Sequence, residues 1–284
     1  MKNIVVLALS LWSFGLFAQN ENALLYKVSG NGIEKPSYIF GTIHITCDAK
    51  LDPSVMKALD ATSQMYLELD MDDPAMQAEM MKMINMKDGV TVSSLISAED
   101  FALLDKYLME KMKVPAKMLD TYKPFILSSM FMTSLLDCTP QSIEGELMRV
   151  SAEQKEEVFG LETVEDQMTV FDKIPYQLQA EELIKSIKND FADDKLEIEL
   201  MLKSYATKDL NELQRLANES ESTMMKDYSD LLLNNRNANW IPIIERISKK
   251  QPTFFGVGAA HLYGNQGVIN LLRQKGYNVQ AIMN

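Results

Sequence analysis

Strand-type segments lie at the two ends of this chain, and helix-type periodicity fills nearly all of its middle. At the amino end, Leu24 to Val28 and Tyr38 to Ile43 are apolar and β-rich, and Ser29-Gly30-Asn31-Gly32 between them supplies turn residues, so a hairpin is expected. Pro53 opens a short helix reaching Leu59, and Gln64 to Asp70 reads as a third strand. Apolar residues then recur three and four apart: Met76, Met80, Met83 and Ile84, followed by Phe101, Leu104, Leu108 and Met112. Tyr122 to Leu136 is an apolar helix. More helices are expected from Val164 to Phe171, Pro175 to Phe191, Leu196 to Ala206, Asp209 to Ala217, Thr223 to Leu233 and Ala238 to Ser248. Only Glu157 to Leu161 interrupts them with strand character. The carboxyl end returns to a strand at Thr253 to Val257, a helix from Gly264 to Lys275 stopped by Gly276, and a strand at Asn278 to Ile282. The economical solution is one α+β domain: a central mixed sheet formed by both ends of the chain, around a large helical insertion at about 74–248.

Hydrophobic residues make up 46% of the 284, enough to build a packed core. The net charge of −12 argues against nucleic acid and anionic lipid as partners, because phosphates need a basic counter-surface. Lys2 precedes an apolar run from Ile4 to Phe17 and a small residue, Ala18, the pattern of a secretory signal peptide. Residues 1–18 are therefore expected to be removed, leaving a single domain over 19–284 with no stable membrane span, in the periplasm or outside the cell. The cysteines number two, Cys47 and Cys138. In an exported chain a disulfide is the preferred reading. Thiolate ligation is its rival, since Cys47 lies three residues past His44.

The chain has two histidines, and both stand in the same local frame. Phe40-Gly41-Thr42-Ile43-His44-Ile45 and Val257-Gly258-Ala259-Ala260-His261-Leu262 each follow an apolar strand and close a Gly-x-x-His. Open sheets gather ligands at the carboxyl ends of their strands. If the two strands run parallel in one sheet, both imidazoles face one crevice. Imidazole is a common metal ligand and the usual general base near neutral pH. Two histidines with a carboxylate would leave an open metal position for water.

An ordered set of segments resembles the TraB/GumN family, which includes the TIKI proteases. The segments are Leu25-Tyr26-Lys27-Val28, Tyr38 to His44, Tyr66-Leu67-Glu68-Leu69-Asp70, Gly160-Leu161-Glu162-Thr163-Val164-Glu165-Asp166-Gln167, Arg236-Asn237 and Gly258 to Leu262. The resemblance implies a fold related to the erythromycin esterase-like and ChaN-like proteins. It also implies a metal-dependent protease-like activity for which the paired Gly-x-x-His is the signature. The sequence departs from the family in one place. Where members commonly carry Gly-hydrophobic-Asp, this chain has Ser142-Ile143-Glu144, an acid longer by one methylene.

These observations nominate His44, His261 and Glu68 as ligands of a divalent ion, with manganese, cobalt or zinc the candidates, and as the centre of catalysis. Glu68, in an apolar strand, needs a partner to be tolerated. Asp70 shares its face nearer the loop. Glu162 reads equally as a helix cap and as a carboxylate that orients a histidine, with Gln167 beside it. Arg236 and Asn237 become candidates for holding a substrate carboxylate or an oxyanion. The twenty methionines fit helical core or an adaptable surface better than metal transport. The resulting expectation is an exported metal-dependent hydrolase of a peptide or small-molecule acyl bond. The alternative is a non-catalytic exported binding protein for a peptide, metal or haem. Glu68 discriminates between them, because hydrolysis needs it within reach of the histidines.

Overall fold

Six strands form one mixed sheet in the order β4-β3-β5-β2-β1-β6, where β1 is Leu25–Gly30, β2 Ile33–Thr42, β3 Met65–Leu67, β4 Val158–Gly160, β5 Phe254–Gly258 and β6 Asn278–Ala281. The structure is a computed structural model describing residues 22–283, so the expected signal segment at 1–18 lies outside it. The β1–β2 hairpin turns through Gly30, Asn31 and Gly32, all at positive φ. β6 pairs antiparallel with β1, which joins the two chain ends as expected. One strand comes from the middle of the chain: β4 pairs parallel with β3 and completes the sheet edge.

The four strands β4, β3, β5 and β2 are mutually parallel. Their apolar faces are packed on both sides, as parallel sheets require. Ile39, Met65, Phe254, Phe255 and Val257 are all inaccessible, and Leu147, Trp240, Ile244, Val268 and Leu272 belong to the same core. The helical middle has a second core of its own, in which Leu104, Leu108, Leu127, Phe131, Leu183 and Phe191 meet. Lys123 is buried against Asp172 at 2.8 Å and donates to the Met83 carbonyl at 2.7 Å, pinning the helical region together.

Of the two readings of the methionines, the Met76–Met83 helix takes the surface one: it buries none of its residues, and Met81 is exposed. One local expectation is revised. The segment before Trp240 is not a helix break. A short helix at Thr223–Asp227 is followed by a π-helical turn at Asp230–Asn234, and the Asn235–Ser248 helix continues directly from it. Arg236 and Asn237 thus lie inside the first helical turn.

Cys47 and Cys138 form a disulfide across a sequence separation of 91, which removes thiolate ligation as a reading. Loop closure of that length in the unfolded chain is worth about 4.6 kcal/mol. Cys138→Ser should lower the unfolding free energy by roughly that amount. Urea melts of the oxidised wild type and the variant measure it.

Candidate functional site

Parallel pairing of four strands puts their carboxyl ends on one edge of the sheet. From β4 to β2 that edge delivers Glu162, Glu68, His261 and His44, each one to three residues past its strand. The two Gly-x-x-His segments are therefore neighbours, with Gly41 opposite Val257 and Thr42 opposite Gly258. Both glycines leave room for close neighbours. A Cβ on Gly41 would sit 2.7 Å from Leu262 and 3.2 Å from the Ala259 backbone; one on Gly258 would press on Glu68 at 3.2 Å. The Gly258 N–H in turn donates to Glu68 Oε1 at 2.8 Å.

The Asn235–Ser248 helix covers this edge. Arg236 and Trp240 stand one turn apart and so face the same way. Arg236 is mostly buried, and every N–H of its guanidinium is taken. Nε donates to both Glu162 oxygens at 3.1 and 3.2 Å, and Nη2 donates to Glu68 Oε2 and Glu162 Oε1, each at 2.5 Å. Nη1 reaches the Leu232 carbonyl at 3.0 Å and His261 Nε2 at 3.1 Å. Gln167 Nε2 bridges the same two carboxylates at 3.3 and 3.1 Å, and the Trp240 indole donates to Glu162 Oε2 at 3.2 Å. The Trp240 ring lies 4.9 Å from the guanidinium and 4.5 Å from the His261 ring. Thr163, rather than Glu162, caps the following helix.

Asn237 fixes the protonation of His261. Its Nδ2 donates to the Gln266 carbonyl at 2.8 Å, so its Oδ1 must be the atom facing His261 Nδ1 at 2.6 Å. An acceptor at Nδ1 demands N–H there, which leaves the Nε2 lone pair for Arg236. The neutral tautomer is thereby built in. Burial, with the charges of Arg236 and His44, outweighs attraction by Glu68 and lowers the His261 pKa to about 4. Glu68 Oε1 lies 3.7 Å from His261 Nε2. Burial opposes its ionisation, yet His261, Arg236, His44 and the Gly258 N–H hold its carboxyl down at about 2.

His44 is the opposite case. Its side chain is 72% exposed, and Nδ1 meets Glu144 Oε1 at 2.7 Å. The hydrogen bond to Glu144 outweighs a desolvation cost and raises its pKa to about 9, with further attraction from Glu144 and Glu68. His44 is an imidazolium at neutral pH, while His261 is not.

The six nominated residues thus lie along one sheet edge and its covering helix, but several do different work from that expected. Arg236 has no N–H left for a substrate, and Asn237 serves His261. Sequence reasoning missed Trp240, which an i, i+4 spacing from Arg236 signals, and the Gly258 N–H, which has no side chain to announce it. Asp70 makes no bond to either histidine; its carboxyl is raised to about 6 by burial and by Asp72. Among the described residues no three of His, Cys, Asp or Glu are grouped to hold a metal ion. Of the nominated ligands, His261 Nε2 and Glu68 Oε2 meet Arg236, Glu68 Oε1 accepts from the Gly258 N–H, and His44 Nδ1 meets Glu144. As arranged, the donor set does not fit a divalent ion.

The TraB/PrgY/gumN family matches residues 24–281. An uncharacterized protein of Treponema pallidum (strain Nichols) is 22% identical over 261 residues, covering 84% of this chain and 77% of that one. Metalloprotease TIKI2 of Danio rerio is 21% identical over 314 residues, covering 91% of this chain and 61% of the relative. No solved structure matches.

Two outcomes follow from these charges. Arg236→Ala leaves two carboxylates buried without their cation and should cost about 3–5 kcal/mol, read from chemical unfolding at pH 7. His261 has a folded pKa below its ordinary 6.5, so the stability it contributes is complete above pH 6.5 and lost as pH falls through about 4. Unfolding free energies should therefore decline between those limits in the wild type, before Glu68 adds its own loss between pH 4.5 and about 2. His261→Gln should flatten the first segment and, by removing the strongest attraction that lowers the Glu68 pKa, shrink the second.

Proposed function

The chain belongs to the TraB/PrgY/gumN family, and from that premise we propose that it is a hydrolase of a peptide or another acyl bond. One observation carries this reading. Just past the ends of two adjacent parallel strands stand two histidines in opposite surroundings. His261 is buried among Asn237, Arg236 and Glu68, and His44 is exposed and paired with Glu144, which lowers the pKa of the first and raises that of the second. Such separation of neighbouring titratable groups is the arrangement acid–base catalysis requires.

In this reading His261 Nε2 accepts the proton of the attacking water once substrate binding loosens its contact with Arg236. His44 supplies a protonated Nε2–H to the charge that develops on the carbonyl oxygen or the leaving group. Glu68, 3.7 Å from His261, stabilises the imidazolium formed there. That contact supports hydrolysis over a purely binding role. Arg236 holds the Glu68 and Glu162 carboxylates in register and helps keep Glu68 ionised.

Export is part of the proposal. A disulfide between Cys47 and Cys138 suits an oxidising compartment, and among the described residues no helix is long and apolar enough to cross a membrane. The name of the Danio rerio relative supplies a metal-dependence to test, although the donor set here does not fit an ion as it stands.

The test is cleavage of a peptide library and of simple ester substrates by the secreted protein. It is assayed after exhaustive chelation and again with manganese, cobalt or zinc added. We expect turnover with a bell-shaped pH profile bounded by the two histidines, reduced about a hundredfold or more by His44→Ala or by His261→Ala. Absence of cleavage under every condition contradicts the hydrolase reading. Turnover that appears only with an added ion contradicts the metal-free arrangement and keeps the class of reaction.

A further inference from the structure

An exposed imidazole on a loop has nothing in its packing to fix its direction. His44 is such a residue, two positions beyond the end of β2. Its neighbour Glu144 is buried. Glu144 lies in the first turn of the Ile143–Gln154 helix, capped by Ser142, whose hydroxyl accepts from the Gly145 N–H at 2.9 Å. An acidic side chain at a helix N-terminus is stabilised there by the exposed backbone N–H groups.

The two segments are laced together along their length. Thr46 and Gln141 exchange N–H···O bonds in both directions at 2.9 Å, and the Ile143 N–H reaches the Ile43 carbonyl at 3.3 Å. The Gln141 side chain accepts from the Ala49 N–H at 3.2 Å and donates to the Cys47 carbonyl at 3.4 Å. The Cys47–Cys138 disulfide closes the far end of the same seam. The loop that carries His44 is therefore docked on the segment that carries Glu144.

From this geometry we propose that Glu144 is the positioning residue for His44. It grips Nδ1 at 2.7 Å and leaves Nε2 as the nitrogen offered to a substrate, while the laced seam sets the distance between the two segments. The inference rests on the hydrolase reading for its purpose, but the grip itself is a property of the resting protein.

The experiment uses the oxidised, secreted protein at pH 7, with carbon-13 in the histidine rings. The chain has two histidines, so each ring is resolved without ambiguity. In the wild type both rings should be rigid, with order parameters near 0.85. Glu144→Ala should release the His44 ring to below about 0.6 and leave His261 unchanged. Glu144→Gln, whose amide oxygen can still accept from Nδ1–H, should keep the ring rigid. On a cleavable peptide, Glu144→Ala should lower kcat about tenfold or more with KM within about twofold, and Glu144→Gln should recover most of the loss. A His44 ring as rigid in Glu144→Ala as in the wild type overturns the proposal. So does mobility that appears in both rings together, the sign of general loosening. Ring mobility as expected, with no cleavage by the wild type on any substrate, upholds the grip and overturns the hydrolase reading instead.

Discussion

One guanidinium holds this site together. Arg236 enters a pocket containing two carboxylates and a neutral imidazole, and spends all of its N–H groups inside the protein. Two buried carboxylates side by side would repel each other and take up a proton. With Arg236 between them, Glu68 stays ionised, and Gln167 and Trp240 supply the remaining donors. The same cation discourages a proton on His261 Nε2, and Asn237 places the ring's own proton on Nδ1. A buried network of this kind is stabilising only when complete, which explains why so many side chains are committed to it.

The fold provides what the network needs. Four parallel strands present their carboxyl ends in a row, and a helix continuing from a π-helical turn lays Arg236, Asn237 and Trp240 across them. π-turns are characteristic of places where a helix must aim particular side chains. Outside the buried network, His44 remains open to solvent and charged. The site therefore runs from a dry, neutral histidine to a wet, protonated one within a single crevice edge.

Much of this was legible in the sequence. The pairing of the two chain ends followed from strand patterns, and the shared Gly-x-x-His frame implied one crevice on the condition that the two strands run parallel in one sheet, which the structure meets. The disulfide was the preferred reading of two cysteines in a chain with a signal-like start. Other features could not be read because they depend on partners distant in sequence. Arg236 has the composition of a substrate-binding residue, and only its contacts with Glu68 and Glu162, 168 and 74 positions away, show that its donors are spent. Asn237 resembled a donor to substrate until the Gln266 carbonyl fixed the orientation of its amide. The Met76–Met83 helix has the periodicity of core, but periodicity reports a face and not what covers it. Metal ligation was inferred from residue types, and residue types do not disclose that a cation from the protein itself stands among them.

The most direct test of this account is the titration of the two histidines by nitrogen-15 magnetic resonance in the wild-type protein. The account predicts that His261 keeps its proton on Nδ1 and stays neutral as pH falls to about 4, while His44 stays doubly protonated as pH rises to about 9. A His261 that carries its proton on Nε2, or that titrates near 6.5 together with His44, would contradict it.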